Sequence, residues 1–308
     1  MTTQPSLLFL GAGKRVSLLN EYLVAAKRLD IDLKLIAYEM DFMQPIGLVA
    51  EIIEGLKWGD GELYRHLMEI VVEYNVVHVI PCVDPAILMA AKINAILNGE
   101  QYDPKSIETC INKILFQDFC ERNNLKVIPR APEGKFPVFA KPSNGSSSIG
   151  AIKIKNAIEL EKHQIEFGPL IVQEILTGVE LTVDCFTTKS GLNFASPRLR
   201  LATAGGEVTD TQLVQDQESE KLALDFLKAL NIKGPATVQI KLDNNGNKFL
   251  MECNPRYGGG AISTFASGWH YPTLHCSDIF GLRFSPNFHR KLIRMKRYQQ
   301  EVYYAVSD

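Results

Sequence analysis

The sequence predicts an α/β chain: a small domain built on a parallel sheet, followed by two lobes of mixed strand and helix. Three observations carry that prediction. Short apolar runs alternate with amphipathic stretches over residues 6–97, the pattern of strands feeding crossover helices. A strand, a small-residue loop and a second strand occupy residues 136–155. Two further strands, 236–240 and 249–256, flank Asp243-Asn244-Asn245-Gly246-Asn247. Their alternation of apolar and polar residues around dense turn chemistry reads as a half-buried hairpin.

The first strand is Ser6-Leu7-Leu8-Phe9-Leu10, which ends in Gly11-Ala12-Gly13. An amphipathic helix follows over 16–28, then a strand over 32–38 with Glu39 just beyond it, a helix over 61–74 and a third strand over 76–81. Gly11-Ala12-Gly13 begins like a dinucleotide fingerprint, but its third glycine slot holds Val16, and Gly-Ala-Gly-Lys lacks Walker A spacing. This supports a Rossmann-like fold more than it supports bound NAD. A helix N-terminus here is still able to hold an anion. Asp84-Pro85 opens the next helix, to about residue 97. Asp84 suits an N-cap with Pro at the first helical position, and equally a ligand contact at the carboxyl end of a strand.

Residues 101–106 are a polar, proline-containing connector and an expected boundary. A helix over 112–124 carries Lys113 near its start, and the strand 136–142 carries Lys141 near its end. Ser143-Asn144-Gly145-Ser146-Ser147-Ser148-Ile149-Gly150 follows, then a strand over 151–155. Such a loop lays backbone N–H groups over phosphates, and Lys141 just before it favours that use over a plain hairpin loop. Leu170-Ile171-Val172-Gln173-Glu174-Ile175-Leu176 is an apolar edge able to border an adenine ring, and Glu180 beyond it is able to accept ribose hydroxyls; any buried strand pair would look similar. Pro197-Arg198-Leu199-Arg200 puts two arginines on one strand face, which suits carboxylate or phosphate. A helix over 219–230 leads to the hairpin.

In that hairpin the alternation puts Leu250, Glu252 and Asn254 on one face, with Gln239 opposite. One carboxylate and two amide oxygens are hard ligands, and hard ligands suit magnesium. Arg256 follows and could meet an anion beside the metal, before the loop Gly258-Gly259-Gly260. The alternative is an ordinary hairpin with a polar outer face, yet Glu and Asn are poor strand formers.

Composition narrows the class. The chain has 308 residues, 46% hydrophobic and 22% charged, with a net charge of -2. That is ordinary for a soluble globular protein and gives no global electrostatic case for nucleic acid or an anionic membrane. The tail with Arg283, Arg290, Lys291, Arg294, Lys296 and Arg297 is the local exception, read as a solvated face or an interdomain contact. Six cysteines show no C-x-x-C spacing, which fits reduced thiols in a cytoplasm. The N-terminus lacks a basic leader region, and no run approaches the ~20 apolar residues of a membrane span.

Taken in order, these pieces resemble the ATP-grasp superfamily, and most closely one synthetase half of the carbamoyl-phosphate synthase large subunit or a short stand-alone protein of that kind. The resemblance covers roughly residues 6–284. It implies a Rossmann-like pre-ATP-grasp domain (1–105), a central lid (106–188) and a C-terminal lobe with the magnesium site and basic tail (189–308). It implies that Lys113 and Lys141 hold ATP phosphates under the 144–149 loop, with Ser146, Ser147 and Ser148 among the contacts. Gln173, Glu174 and Leu176 would border adenine, and Glu180 the ribose. Gln239, Glu252 and Asn254 would hold magnesium, or manganese in its place, and Arg256 would stabilise the transferring phosphoryl group. The chain is far shorter than a complete carbamoyl-phosphate synthase, and its loop is Ser-rich where biotin carboxylases use glycine.

The expected activity is an ATP-dependent C–N ligase of the carboxylate–amine type. A carboxylate becomes an acyl phosphate, and an amine displaces the phosphate. Positioning and charge neutralisation carry such chemistry, so the catalytic candidates are Arg256, Lys141, Arg198 and Arg200. The two arginines, with Asp84, belong to the acceptor side. The competing readings are a nucleotide-binding regulator without turnover, bicarbonate or carbamate chemistry, and an NAD-dependent oxidoreductase, against which Val16 argues. The expected partners are small-molecule carboxylates and amines, with no nucleic acid and no membrane; a homodimer is left open.

Overall fold

The computed structural model describes residues 4–98, 103–145, 149–204, 207–286 and 289–305. The N-terminal part alternates strand and helix as expected: β1 (Ser6–Leu10), α1 (Val16–Arg28), β2 (Lys34–Glu39), β3 (Glu51–Glu54), α2 (Leu63–Glu73), β4 (Val76–Pro81) and α3 (Ile87–Asn98). The four strands form a parallel sheet in the order β3-β2-β1-β4. Side chains alternate across β1. Leu7 and Phe9 pack into one core with Leu18, Leu19 and Tyr22 of α1, and Leu8 and Leu10 pack into another with Leu63, Leu67 and Ile70 of α2. A strand covered on both faces reads as an unbroken apolar run, as β1 does. β3 was not expected: its Ile52-Ile53 sits between glutamates on the sheet edge.

The segment expected to be a connector instead contains α4 (Pro104–Ile111), capped by Asp103, whose side chain accepts from the amides of Lys105 and Ser106. Next come α5 (Lys113–Arg122), β5 (Val138–Pro142), β6 (Ile152–Ile154), α6 (Ala157–Phe167) and β7 (Leu170–Gln173). β6, β5 and β7 form a three-stranded antiparallel sheet around a small core of Val138, Ala140 and Ile154.

The remaining elements are β8 (Glu180–Thr187), β9 (Asn193–Ala204), β10 (Glu207–Leu213), α7 (Gln217–Ala229), β11 (Gly234–Leu242), β12 (Lys248–Asn254), α8 (Ala261–Ala266), α9 (Tyr271–Ile279) and β13 (Arg294–Lys296). Their six strands pair in the order β12-β11-β8-β9-β10-β13. One face is buried against α4, α5 and α7 through Ile107, Phe116, Cys120, Phe226 and Leu227. β8 therefore lies in this sheet, on the far side of the boundary expected at residue 188, and α4 and α5 pack beneath the same sheet. The basic tail adds β13 to the free edge of β10. Among the described residues no helix is long and apolar enough to cross a membrane.

The β11–β12 hairpin is present, with Asp243 accepting from the amides of Asn245 and Asn247 in the turn. Its register corrects one expectation. Gln239 pairs with Glu252 but Ile240 pairs with Leu250, so Met251 is an extra, bulged residue. A bulge reverses the alternation. Leu250 therefore joins Ile240 in the core, while Glu252 shares the opposite face with Gln239.

Candidate active site

A cavity of about 780 Å³ is lined by residues of the three-stranded and six-stranded sheets and by Arg15, Asp84 and Pro85 from loops of the N-terminal domain. Lys113 and Lys141 form one wall. Asn112 caps α5 by accepting from the amides of Ile114 and Leu115. That cap fixes Lys113, whose amide donates to the Ser143 carbonyl at 2.8 Å and whose Nζ donates to the Gly145 carbonyl at 2.9 Å. Lys141 is 7% exposed. Burial pushes its ammonium below the usual lysine range; the nearby carboxylate of Glu252 opposes that shift and Lys113 adds to it. Asn144, Gly145 and Ile149 line the cavity at the ends of the small-residue loop, whereas Ser146, Ser147 and Ser148 lie outside the described residues.

The opposite wall is the hairpin. Gln239, Glu252 and Asn254 all line the cavity. Gln239 Nε2 donates to Glu180 Oε1 at 2.8 Å, and Asn254 Nδ2 approaches Glu252 Oε1 at 3.4 Å, so both amides spend their nitrogens on carboxylates. Among the described residues no three His, Cys, Asp or Glu side chains gather as a metal cluster. One carboxylate and two amide oxygens nevertheless fit a magnesium ion that takes its other ligands from phosphates and water.

Five of the expected residues, Glu180, Arg200, Arg198, Asp84 and Arg256, have partners that the sequence did not announce. Glu180 Oε1 accepts from Arg200 Nη1 at 2.5 Å as well as from Gln239. Arg200 thus stands beside the expected ribose carboxylate, as the ion-pair partner of Glu180. Arg198 is 3% exposed and gives Nε and Nη2 to Asp184 at 2.9 and 3.2 Å, while Thr264 Oγ1 donates to the same carboxylate. Asp84 makes no side-chain helix cap, since Val83 holds the N-cap position; its Oδ1 instead accepts from Arg256 Nε at 2.6 Å. Asp84 and Arg256, read in separate roles, are ion-pair partners.

At the far end Gln173, Glu174 and Leu176 line the cavity. Gln173 is 3% exposed, and its Nε2 donates to Gln117 Oε1 at 2.8 Å. Its Oε1 is buried without a hydrogen-bond partner among the described residues, an acceptor that a ligand N–H would satisfy. Gln117 was missed because a lone Gln inside an amphipathic helix carries no signal.

Arg15, Glu207, Lys153, Lys241 and Gly258–Gly260 also line the cavity, and sequence reasoning assigned them no role. Arg15 pairs with Glu207 at 3.0 Å. The Gly11-Ala12-Gly13 loop, considered as an anion site, already lies against an anion of the chain itself: a Cβ on Gly13 would fall 3.2 Å from Glu39 Oε2. Burial of that carboxylate raises its pKa to about 7, with the nearby Ala12 and Gly13 amides acting in the opposite direction.

Comparison with known proteins places these features in context. The family model described as "ATP-grasp in the biosynthetic pathway with Ter operon" matches residues 166–301. D-alanine–D-alanine ligase B of Clostridium tetani is 24% identical over 256 residues, which is 75% of this chain and 68% of that enzyme. The same kind of enzyme from two other bacteria is matched over 57% and 48% of its length. The crystal structure of an L-amino acid ligase from Bacillus licheniformis superposes with a TM-score of 0.71 at 18% identity, covering 91% of this chain and 75% of that one. N5-carboxyaminoimidazole synthetase from Staphylococcus aureus, complexed with ADP, gives 0.75 at 14% identity, covering 95% and 82%. None of these matches carries the finer likeness to carbamoyl-phosphate synthase.

Proposed function

We propose that this chain, which an ATP-grasp family model matches over residues 166–301, is an ATP- and magnesium-dependent ligase that joins a carboxylate to an amine. One observation carries the reading: Lys113 and Lys141 face Gln239, Glu252 and Asn254 across a single cavity. Cations on one wall and hard oxygen donors on the other are what a magnesium-bound polyphosphate requires.

Lys113 and Lys141 hold the phosphates. Lys141, being buried, holds them in a medium where its charge acts strongly. Gln173 Oε1 and the Glu174–Leu176 edge take the adenine, and Glu180, steadied by Arg200, takes the ribose. Magnesium held by Gln239, Glu252 and Asn254 would supply neutralisation of phosphate charge. The substrate carboxylate attacks the γ-phosphorus, the bond to the β-phosphate oxygen breaks, and ADP leaves an acyl phosphate. The amine then attacks the acyl carbon and phosphate departs. Arg256, oriented by Asp84, neutralises the oxygens of the group in transfer, and Arg198 serves the acceptor. The D-alanine–D-alanine ligases and the L-amino acid ligase among the matches support a C–N bond as the product.

The test is Glu252→Gln. ADP release from Mg-ATP with pooled carboxylates and amines is expected to fall by about 10²–10³-fold, the cost of losing one preorganised electrostatic group, while calorimetry still detects ATP. A wild-type protein that binds no ATP overturns the reading.

A further inference from the structure

The basic tail does more than add β13 to the sheet. Arg297, the residue after β13, continues the ladder by donating its amide to the Thr209 carbonyl at 2.8 Å. Its guanidinium meets the cavity wall at two points. Nη2 donates to the Gly259 carbonyl at 2.8 Å, and Nη1 lies 3.4 Å from Glu207 Oε2. Glu207 and Gly259 line the cavity, whereas Arg297 does not. Glu207 passes the contact on: its other oxygen pairs with Arg15 Nη2 at 3.0 Å. One carboxylate thus holds two guanidiniums, one from the tail and one from the loop before α1. Further along the tail, Tyr304 Oη donates to the Gln44 carbonyl, and the Ile46 amide donates to the Gly13 carbonyl at 3.1 Å. The tail therefore grips both members of the Arg15–Glu207 pair, Glu207 directly and the loop that carries Arg15 through the Gln44–Ile46 segment.

Two features of this wall need an outside anchor. Gly258-Gly259-Gly260 has no side chains to pack, and glycine has the widest backbone freedom. Yet this loop lies close against Arg198: a Cβ on Gly258 would fall 3.4 Å from its Nη2, and one on Gly260 would fall 2.6 Å from its Nη1. The Arg15–Glu207 pair is the second feature. With Glu207 43% exposed, such a pair alone holds its geometry weakly. A planar fork with two donors restrains loop and carboxylate together, which a single ammonium does not. We infer that Arg297 is a positioning residue, acting through Glu207 and the Gly259 carbonyl to place Arg15 and the glycine loop around the part of the cavity that receives the carboxylate and amine. This rests on the ligase reading. Lys113 and Gln173, on the nucleotide side, take their partners from Gly145 and Gln117, so the influence of Arg297 falls on the acceptor side.

The test uses the full chain with Mg-ATP and a pool of small carboxylates and amines. ADP release is read against pool concentration, and ATP binding is followed by calorimetry. In Arg297→Ala the apparent KM for the pool is expected to rise about 3–10-fold, the value of a partly exposed hydrogen bond to a charged group. The kcat, the ATP affinity and the Tm stay near wild type. Arg297→Lys keeps the charge but not the fork, so its KM should fall between those of wild type and Arg297→Ala; it serves if the first variant does not fold. A merely structural role would lower the Tm and weaken ATP and pool alike. A wild-type KM in both variants, or an equal loss of ATP affinity, overturns this inference and leaves the ligase intact. No ADP from any mixture, with ATP bound, overturns both.

Discussion

Asp84 and Arg256 are 172 residues apart in sequence and meet through a 2.6 Å hydrogen bond from Nε to Oδ1. The contact ties the segment after β4 to the arginine just beyond the β11–β12 hairpin. Asp84→Asn keeps the shape and removes the charge. The expected outcome is a fall in kcat of about 10–100-fold, in the range of a charge-assisted hydrogen bond, with ATP affinity within threefold of wild type. Steady-state kinetics and calorimetry check it; an equal loss in ATP affinity would place Arg256 on the nucleotide.

Lys141 is expected to dominate nucleotide affinity. Lys141→Met removes the buried ammonium but keeps most of the volume, so ATP should bind about 100-fold more weakly while the Tm holds or rises. Burial already disfavours that charge, and the charged state is maintained by neighbours such as Glu252. Titration calorimetry and thermal melts read the two effects separately.

Glu39 gives a pH signature. Its carboxyl is raised from 4.5 to about 7 by burial, so the folded protein holds the proton more tightly than the unfolded chain does. Stability from this group is fully present below about pH 4.5 and is lost as pH rises to about 7. Glu39→Gln keeps the shape but has no charge to bury. Its Tm should exceed wild type at pH 8, and the difference should vanish at pH 4.5. A variant less stable than wild type at pH 8 refutes the assignment.

Gly259 sits under a cluster from three parts of the chain. A Cβ there would fall 2.1 Å from Glu207 Oε2 and 2.9 Å from Arg15 Nη1, and Arg297 Nη2 donates to the Gly259 carbonyl at 2.8 Å. Gly259→Ala is expected to cost about 1–3 kcal/mol, as overpacking does. Adding Glu207→Ala should recover at least half of that loss, a coupling that urea denaturation of the four-member cycle measures.

Much of this was legible because single residues announce backbone needs. The apolar run 6–10 marked a strand buried on both faces, Asn112 marked a helix start, and the Asp243–Asn247 segment marked a turn. β3 escaped because two isoleucines between glutamates are too short a pattern. α4 escaped because Asp103-Pro104 reads equally as a linker and as a cap. Met251 shows a different kind of failure: a bulge has no composition, so strict alternation sent Leu250 to the wrong face. In the site, the residue types were readable and their pairings were not. Arg256 with Asp84, Arg200 with Glu180 and Arg15 with Glu207 are long-range contacts that topology decides.

β13 has a consequence for solubility. Met295 pairs with Thr211 on the outer rim of the six-stranded sheet, and Asp210 takes both Arg294 and Lys296 as ion partners. A bare rim offers a row of unpaired N–H and C=O groups to any passing extended chain. The three-residue strand occupies that rim and surrounds it with cations, which repel a second copy attempting the same pairing. Shortening the tail to before Arg294 would turn the rim into a template, with self-association by strand addition appearing before any loss of secondary structure.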